Sequence, residues 1–326
     1  MSTFDVLKKL KNLRKKVNWK IEEERHEFIL RLESLFSDCT GQLPNIRDIL
    51  QPKKIDRLLS DSLTSRRGYS FIKLVARSGY KDDFVVKYED GEPLLRRTTP
   101  LHRAANCRYL IEHDVVTDLF KIYNRYDVNY ADEFGLTHLH VACMFYCGDV
   151  IKNFLDYGQF PNCLEQKTGD SPLHLVLRDK NRDMVELLLE RGADPNLANR
   201  NGSNALHVIC RGDRDDTDLM KMIFEFGNSK RHPVQVDAQD KLGNTPLNLA
   251  LLYGKKNLAK LLLKNGANPD LTNQEGLNSL HIVCRVYHSA DLATRLYRLS
   301  DKKYRPVRVS IQNKKPREKK LLKRLF

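Results

Sequence analysis

Ten histidines and seven cysteines give this chain of 326 residues its widest chemical reach, as metal ligands, bases or nucleophiles. Their spacing decides what they can do. Cys143 and Cys147 stand as a C-x3-C pair with His138 and His140 close by, near zinc spacing. A structural zinc takes four ligands, usually from two such clusters, and there is no second one. A Cys/His nucleophile pair fails for another reason: a repeated pattern already places these residues. His102, His140, His174, His207 and His281 share one position of a recurring motif, and Cys143, Cys210 and Cys284 share a small, core-facing one. No glycine-rich phosphate loop, H-E-x-x-H or G-x-S-x-G is found. The expectation is therefore no catalytic residue, no metal, no cofactor and no small-molecule substrate.

The pattern that absorbs those residues is an internal repeat. Thr99-Pro100-Leu101-His102 recurs as Thr137-His138-Leu139-His140, Ser171-Pro172-Leu173-His174, Asn204-Ala205-Leu206-His207, Thr245-Pro246-Leu247-Asn248 and Asn278-Ser279-Leu280-His281. The intervals are 38, 34, 33, 41 and 33 residues. A glycine stands two residues before the motif at 135, 169, 202, 243 and 276, where a turn with positive φ would use it. An apolar second helix follows, as in 184–189 and 258–263. It closes with Gly192-Ala193-Asp194-Pro195-Asn196 and Gly266-Ala267-Asn268-Pro269-Asp270, glycine stopping the helix and proline preventing its resumption.

In these motifs and this period the chain resembles the ankyrin-repeat family. The resemblance implies an all-α solenoid of about six repeats over residues 92–300, each a turn, two antiparallel helices and an outward loop. It implies that the motif histidines hydrogen-bond within and between repeat turns. The chain departs from the pattern in places. Arg97 stands where repeat one should have its turn glycine, and five extra residues lie between His102 and Asn129. Repeat four gains eight residues, two before Gly227 and six after it. Some pox-type and arthropod ankyrin adaptors are similar but carry a C-terminal F-box-like domain, which the basic segment after Ser300 does not resemble.

Elements outside the repeats are read from periodicity. Phe4, Leu7, Leu10, Leu13 and Val17 have helical spacing, continued by Phe28, Leu32, Leu35 and Phe36. A second helical stretch is expected around 46–63 with Pro52 inside it, and a third over 68–76. Residues 1–91 thus read as a helical cap with room for one degenerate repeat, and 301–326 as a disordered basic tail. Net charge is +14, but the first 20 residues carry +6 and residues 302–326 carry +10, leaving the middle slightly negative. No stretch approaches the roughly 20 apolar residues of a membrane span, and no apolar segment of a secretory signal follows Met1. Reduced thiols and a cytoplasmic or nuclear place follow.

Function then falls to the surface. The resemblance implies partner contact through loop tips and first-helix ends lining a concave groove, so the chain reads as a protein-binding scaffold or adaptor. Helix-end candidates are Phe145, Tyr146, Arg178, Asp179, Arg211, Tyr253, Arg285 and Tyr287. Tip candidates include Arg200 and Lys241, with Phe134, Leu242, Gln274 and Glu275 among their neighbours. Aromatics and arginine dominate binding hot spots, and the mixed charge argues for a protein partner. Lys314, Lys315, Arg317, Lys319, Lys320, Lys323 and Arg324 are dense enough for a nuclear import signal. A plain solvated tail, or contact with nucleic acid or anionic membrane through the basic ends, remains open beside it.

Overall fold

The computed structural model describes residues 3–37, 43–64, 66–83, 88–89, 92–93, 95–215, 217–229, 233–287 and 298. Among the described residues the regular structure is helical apart from one hairpin of two-residue strands, Tyr88–Glu89 with Glu92–Pro93. The chain forms two compact units, Met1–Phe160 and Pro161–Phe326.

The first unit opens with α1 (Thr3–Lys16), α2 (Glu22–Ser37), α3 (Pro52–Ser62) and α4 (Tyr69–Arg77). Val6 and Leu10 of α1 are fully buried, as are Leu32 of α2, Ile55, Leu58 and Leu59 of α3, and Phe71, Ile72 and Val75 of α4. Phe4, expected on the apolar face, is 74% exposed. Pro52 does not interrupt a helix. It starts α3 at the first helical position, where its missing N–H costs nothing, and the residues before it make the short 3-10 turn Ile46–Asp48.

Two repeats follow, α5 (Pro100–Asn106) with α6 (His113–Ile122), and α7 (His138–Met144) with α8 (Gly148–Asp156). α3 packs on α5 and α4 on α6, so the α3–α4 pair stacks on the first repeat as a further helix pair. Arg97 fastens it there. Its guanidinium reaches Asp82 at 2.6 Å and Asp56 of α3 at 2.7 Å, and Tyr123, just after α6, donates to the same Asp56 at 2.6 Å. Burial works against the charge of Arg97, but the two carboxylates more than offset it and leave the group raised above its ordinary pKa. Nearby, the Tyr80 hydroxyl is buried without a hydrogen-bond partner.

The second unit holds α9 (Pro172–Arg178), α10 (Arg182–Glu190), α11 (Ala205–Arg211), α12 (Asp218–Ser229), α13 (Pro246–Leu252), α14 (Lys256–Lys264) and α15 (Ser279–Tyr287). First helices stack in succession, α9 on α11 on α13 on α15, with α10, α12 and α14 behind them. The insertion in repeat four lengthens α12 to 12 residues, against nine in α10 and α14. Gly227 therefore lies inside a helix instead of ending it. The Asn-Ser-Lys after it contains no proline to stop the helix, unlike the Ala-Asp-Pro after Gly192. The second helix expected in repeat six and the whole basic tail lie outside the described residues.

Repeats one to four and six share one bonding pattern. The residue before each first helix donates its backbone N–H to Nδ1 of the histidine three positions on: Thr99 to His102 at 3.0 Å, Thr137 to His140 at 3.1 Å, Ser171 to His174 at 3.2 Å, Asn204 to His207 at 3.3 Å and Asn278 to His281 at 3.2 Å. A backbone N–H can only donate, so where the capping residue is Thr or Ser, at His102, His140 and His174, Nδ1 is bare and the ring carries its proton on Nε2. The Nε2 proton reaches the next turn, from His102 to Tyr130 O at 3.2 Å, His174 to Ser203 O at 2.9 Å and His207 to Asn244 O at 3.0 Å. Repeat five substitutes Asn248, whose amide donates to Leu271 O at 3.4 Å.

The finger glycines sit at φ between 68 and 74°. Backbone crowding adds a second demand: a Cβ on Gly202 would lie 2.9 Å from Lys241 N, and one on Gly243 2.9 Å from Gln274 N. Those amides bond the preceding finger, Lys241 N to Asn201 O and Gln274 N to Leu242 O, both at 2.9 Å.

Arg97→Met leaves two carboxylates without their cation and should cost about 3–5 kcal/mol of stability in urea unfolding, whereas Tyr80→Phe removes only an unpaired hydroxyl and should be neutral or stabilising by about 1 kcal/mol. Burial also depresses His102, His174 and His207, and His138 further still. Such groups stay neutral in the fold but take up protons when unfolded, so stability is complete above the unfolded pKa of about 6.5 and falls as pH drops below it. Asp170 and Glu165, held low by hydrogen bonds despite burial, add a second loss below about pH 4. His174→Asn, which copies repeat five, should lower the urea midpoint at pH 8 and flatten its decline between pH 6.5 and 5.

Candidate functional site

The first helices of the second unit end beside the finger turns, and the apolar cleft between them is built at α13 and α15. Its floor is Leu249, Leu277 and Ile282, which are 3%, 7% and 0% exposed. Its walls are Leu242 at a finger tip, 60% exposed, and Leu252 and Tyr253 at the end of α13, 37% and 55% exposed. The enclosed volume is about 460 Å³, within the range of pockets that take a ligand group or an inserted side chain. Residues 246–251 of α13 are all buried, and the chain reaches the surface at Leu252 and Tyr253, where the helix ends.

Charged pairs border the cleft. Arg211 lies between Asp240 at 2.6 Å and the Ser203 hydroxyl at 2.6 Å, and Arg285 meets Glu275 at 2.9 Å. Asp240 is itself a turn-former, its other oxygen accepting from Leu242 N and Asn244 N, both at 2.9 Å. Arg211 therefore braces the finger and presents only 32% of its side chain. Arg178 does the same for repeat three through Asp170 at 2.7 Å, with 52% of its side chain left in solvent. Burial pushes the Asp170 carboxyl up, but the Asn199 amide at 2.8 Å and the Arg178 charge hold it below the usual range.

The structure places the other candidates unevenly. Arg200 and Lys241 are exposed at finger tips. Asp179 is half-buried and caps α9 through its backbone. Phe145 is a correction: at 5% exposure it is a core residue, because it caps α7 with the chain still turning inward and offers a partner no area. Tyr146 is 39% exposed and sits at φ 57°, the left-handed region, where repeat five has Gly254. Arg108 fixes it, donating to its hydroxyl at 2.8 Å with the guanidinium 5.7 Å from the ring centre. Tyr287 ends α15, and its side chain lies outside the described residues. So do Lys314, Lys315, Arg317, Lys319, Lys320, Lys323 and Arg324.

Sequence reasoning passed over Tyr109 and Leu110, 97% and 74% exposed in the loop before α6. The signal was the insertion in repeat one. It makes this loop six residues, 107–112, where 145–147, 179–181 and 253–255 are three.

None of the cysteines among the described residues lines the cleft. Cys143, Cys147, Cys210 and Cys284 are buried, and burial pushes the Cys147 thiol up to about 11. Among the described residues, no group of three or more His, Cys, Asp or Glu side chains is placed to hold a metal, and no helix is long and apolar enough to cross a membrane.

Comparison with known proteins agrees with this geometry. A family model for ankyrin repeats (3 copies) matches residues 101–199 and 192–273. The B-cell lymphoma 3 protein homolog of Mus musculus is 27% identical over 198 residues, 59% of this chain and 41% of that protein. A putative ankyrin repeat protein of fowlpox virus is 27% identical over 180 residues, 54% of this chain and 48% of its own. The nuclear factor NF-kappa-B p105 subunit of Gallus gallus is 28% identical over 182 residues, 55% of this chain and 17% of that protein. The chain thus covers less than half the length of each of these relatives. With the family model spanning more than half of the chain, the chain belongs to the ankyrin-repeat family.

Proposed function

We propose that the chain is a non-catalytic protein-binding module, a scaffold or adaptor, and that its second unit grips a partner protein in the cleft at α13 and α15. The observation that carries this reading is the exposure of Leu242, Leu252 and Tyr253 over an apolar floor. Three large apolar side chains held at one place in water are costly unless something covers them. The cleft admits one or two apolar side chains of an extended segment. The Arg211–Asp240 and Arg285–Glu275 pairs at its rim supply orientation more than affinity. Arg178, Arg200, Lys241 and Tyr146 are further contact candidates on the same principle.

The reading extends to place: reduced thiols and a relative named as a nuclear factor support the cytoplasm or nucleus, with the 314–324 basic cluster as the import signal.

Affinity purification with the intact chain as bait, against Leu242→Ser/Tyr253→Ala, tests the cleft. The variant should lose the retained protein by about 30-fold or more in affinity, the scale of a hot spot, with an unchanged melting curve. A partner held equally by both would place the grip elsewhere. Deleting 302–326 from a fluorescent fusion should move it out of the nucleus, and an unchanged distribution would remove the import signal.

A further inference from the structure

The strongest charge asymmetry among the described residues lies far along the chain from the cleft, on α1. Lys8, Lys9, Lys11, Lys15 and Lys16 are all exposed, and Asp5 is the one acid in the helix. At 100° per residue, Lys8, Lys11 and Lys15 fall within about 60° of arc and span about 10 Å along the axis. Val6 and Leu10, fully buried, occupy the opposite side. Arg14 is committed to the fold, donating to Ile49 O at 2.5 Å.

Asp5 stands three residues before Lys8, but Lys11 and Lys15 have no acid three or four residues away on α1. None of the five lysines enters an ion pair among the described residues. The carboxylates of α2 that border α1, Glu24 and Glu27, lie by Lys16 and Leu13, on the flank away from the row. Lys8 with Lys11 and Lys11 with Lys15 are like charges at i,i+3 and i,i+4, a spacing that repels. The other ion-paired helices behave differently: α2 sets Arg31 against Glu27, and α12 sets Lys221 against Asp218. The α1 row is thus a repulsion that an external polyanion relieves.

We infer that α1 is a docking surface for the phosphate backbone of double-stranded nucleic acid, bound without sequence preference. A duplex carries one charge per roughly 1.7 Å of axis, so a 10 Å lysine row meets several phosphates at once. Lysine acts as a point charge and lacks the planar fork that reads guanine, which suits contact with the backbone over contact with base edges. A lipid surface fits less well. An amphipathic helix enters a bilayer by its apolar face, and here that face is already spent on α2, leaving Phe4 as the exposed apolar residue of α1. The inference is independent of the cleft.

The test is fluorescence anisotropy of a labelled, random-sequence duplex of about 20 base pairs with the full chain, from about 50 to 200 mM salt. Binding should weaken steeply over that range. Lys8→Gln/Lys11→Gln/Lys15→Gln should lower the salt slope by about 2.7, so that the wild type loses about 40-fold more affinity than the variant over the interval. The corresponding triple arginine variant should bind as the wild type does. Three results would overturn the proposal: no duplex binding by the wild type, a glutamine variant with unchanged slope while Lys319→Gln/Lys320→Gln/Lys323→Gln loses binding, or binding to phosphatidylserine vesicles in preference to the duplex. The lysines are exposed and glutamine is a good helix former, so circular dichroism and melting curves should match throughout.

Discussion

A neutral imidazole with one bare nitrogen is the part on which the repeats depend. Each motif histidine uses Nδ1 to receive the amide that opens its own helix, and in His102, His174 and His207 the opposite nitrogen gives its proton to the following turn. One side chain thereby satisfies an orphan donor at a helix N-terminus and ties two repeats together. Both bonds require the ring to be uncharged, because a proton on Nδ1 would face an N–H. Burial depresses the pKa values in the same direction, so desolvation and bonding geometry favour the same protonation state. His138 occupies a proline position and does something different. It lies tilted on His102 at 4.8 Å between ring centres and bonds the Thr99 hydroxyl at 2.8 Å, adding a lateral contact between α5 and α7.

A stack of such turns leaves an apolar face at its first repeat, and Arg97 is the local solution. The position calls for glycine elsewhere because the finger turn needs positive φ. Repeat one makes no such turn, which frees the site for a long side chain. The arginine then reaches two carboxylates from outside the repeat, Asp56 in α3 and Asp82 in the segment after α4. Its guanidinium also lies 5.2 Å from the Tyr130 ring centre and 5.9 Å from that of Tyr123. The departure from the motif is thus the joint between cap and repeats.

Legibility followed the source of each signal. First and second helices, finger glycines and motif histidines were readable because each rests on local chemistry that recurs: a cap, a stop, a turn. The cap was harder. Its boundaries depend on what α3 and α4 pack against, so Pro52 looked like an interruption when it was a start, and Gly227 looked like a stop when nothing after it enforced one. Burial at helix ends was harder still. Phe145 and Tyr146 are adjacent and both aromatic, yet one is core and the other surface. The sign of a single φ angle at the turn separates them, and no periodicity reports it.

The same limit explains the surface. Register names the positions that can face a partner, but not which of them the fold has already engaged. Arg178 and Arg211 look like free hot-spot residues in sequence, whereas in three dimensions they hold the carboxylates that shape the fingers. A residue so engaged contributes less to binding, since a partner must compete with an existing charge-assisted bond. Leu242, Leu252 and Tyr253 carry no comparable internal duty for their exposed area. On the proposed reading, binding in the second unit would draw more on apolar contact than on the arginines that composition alone favours, since Arg178 and Arg211 already hold the carboxylates of their own fingers.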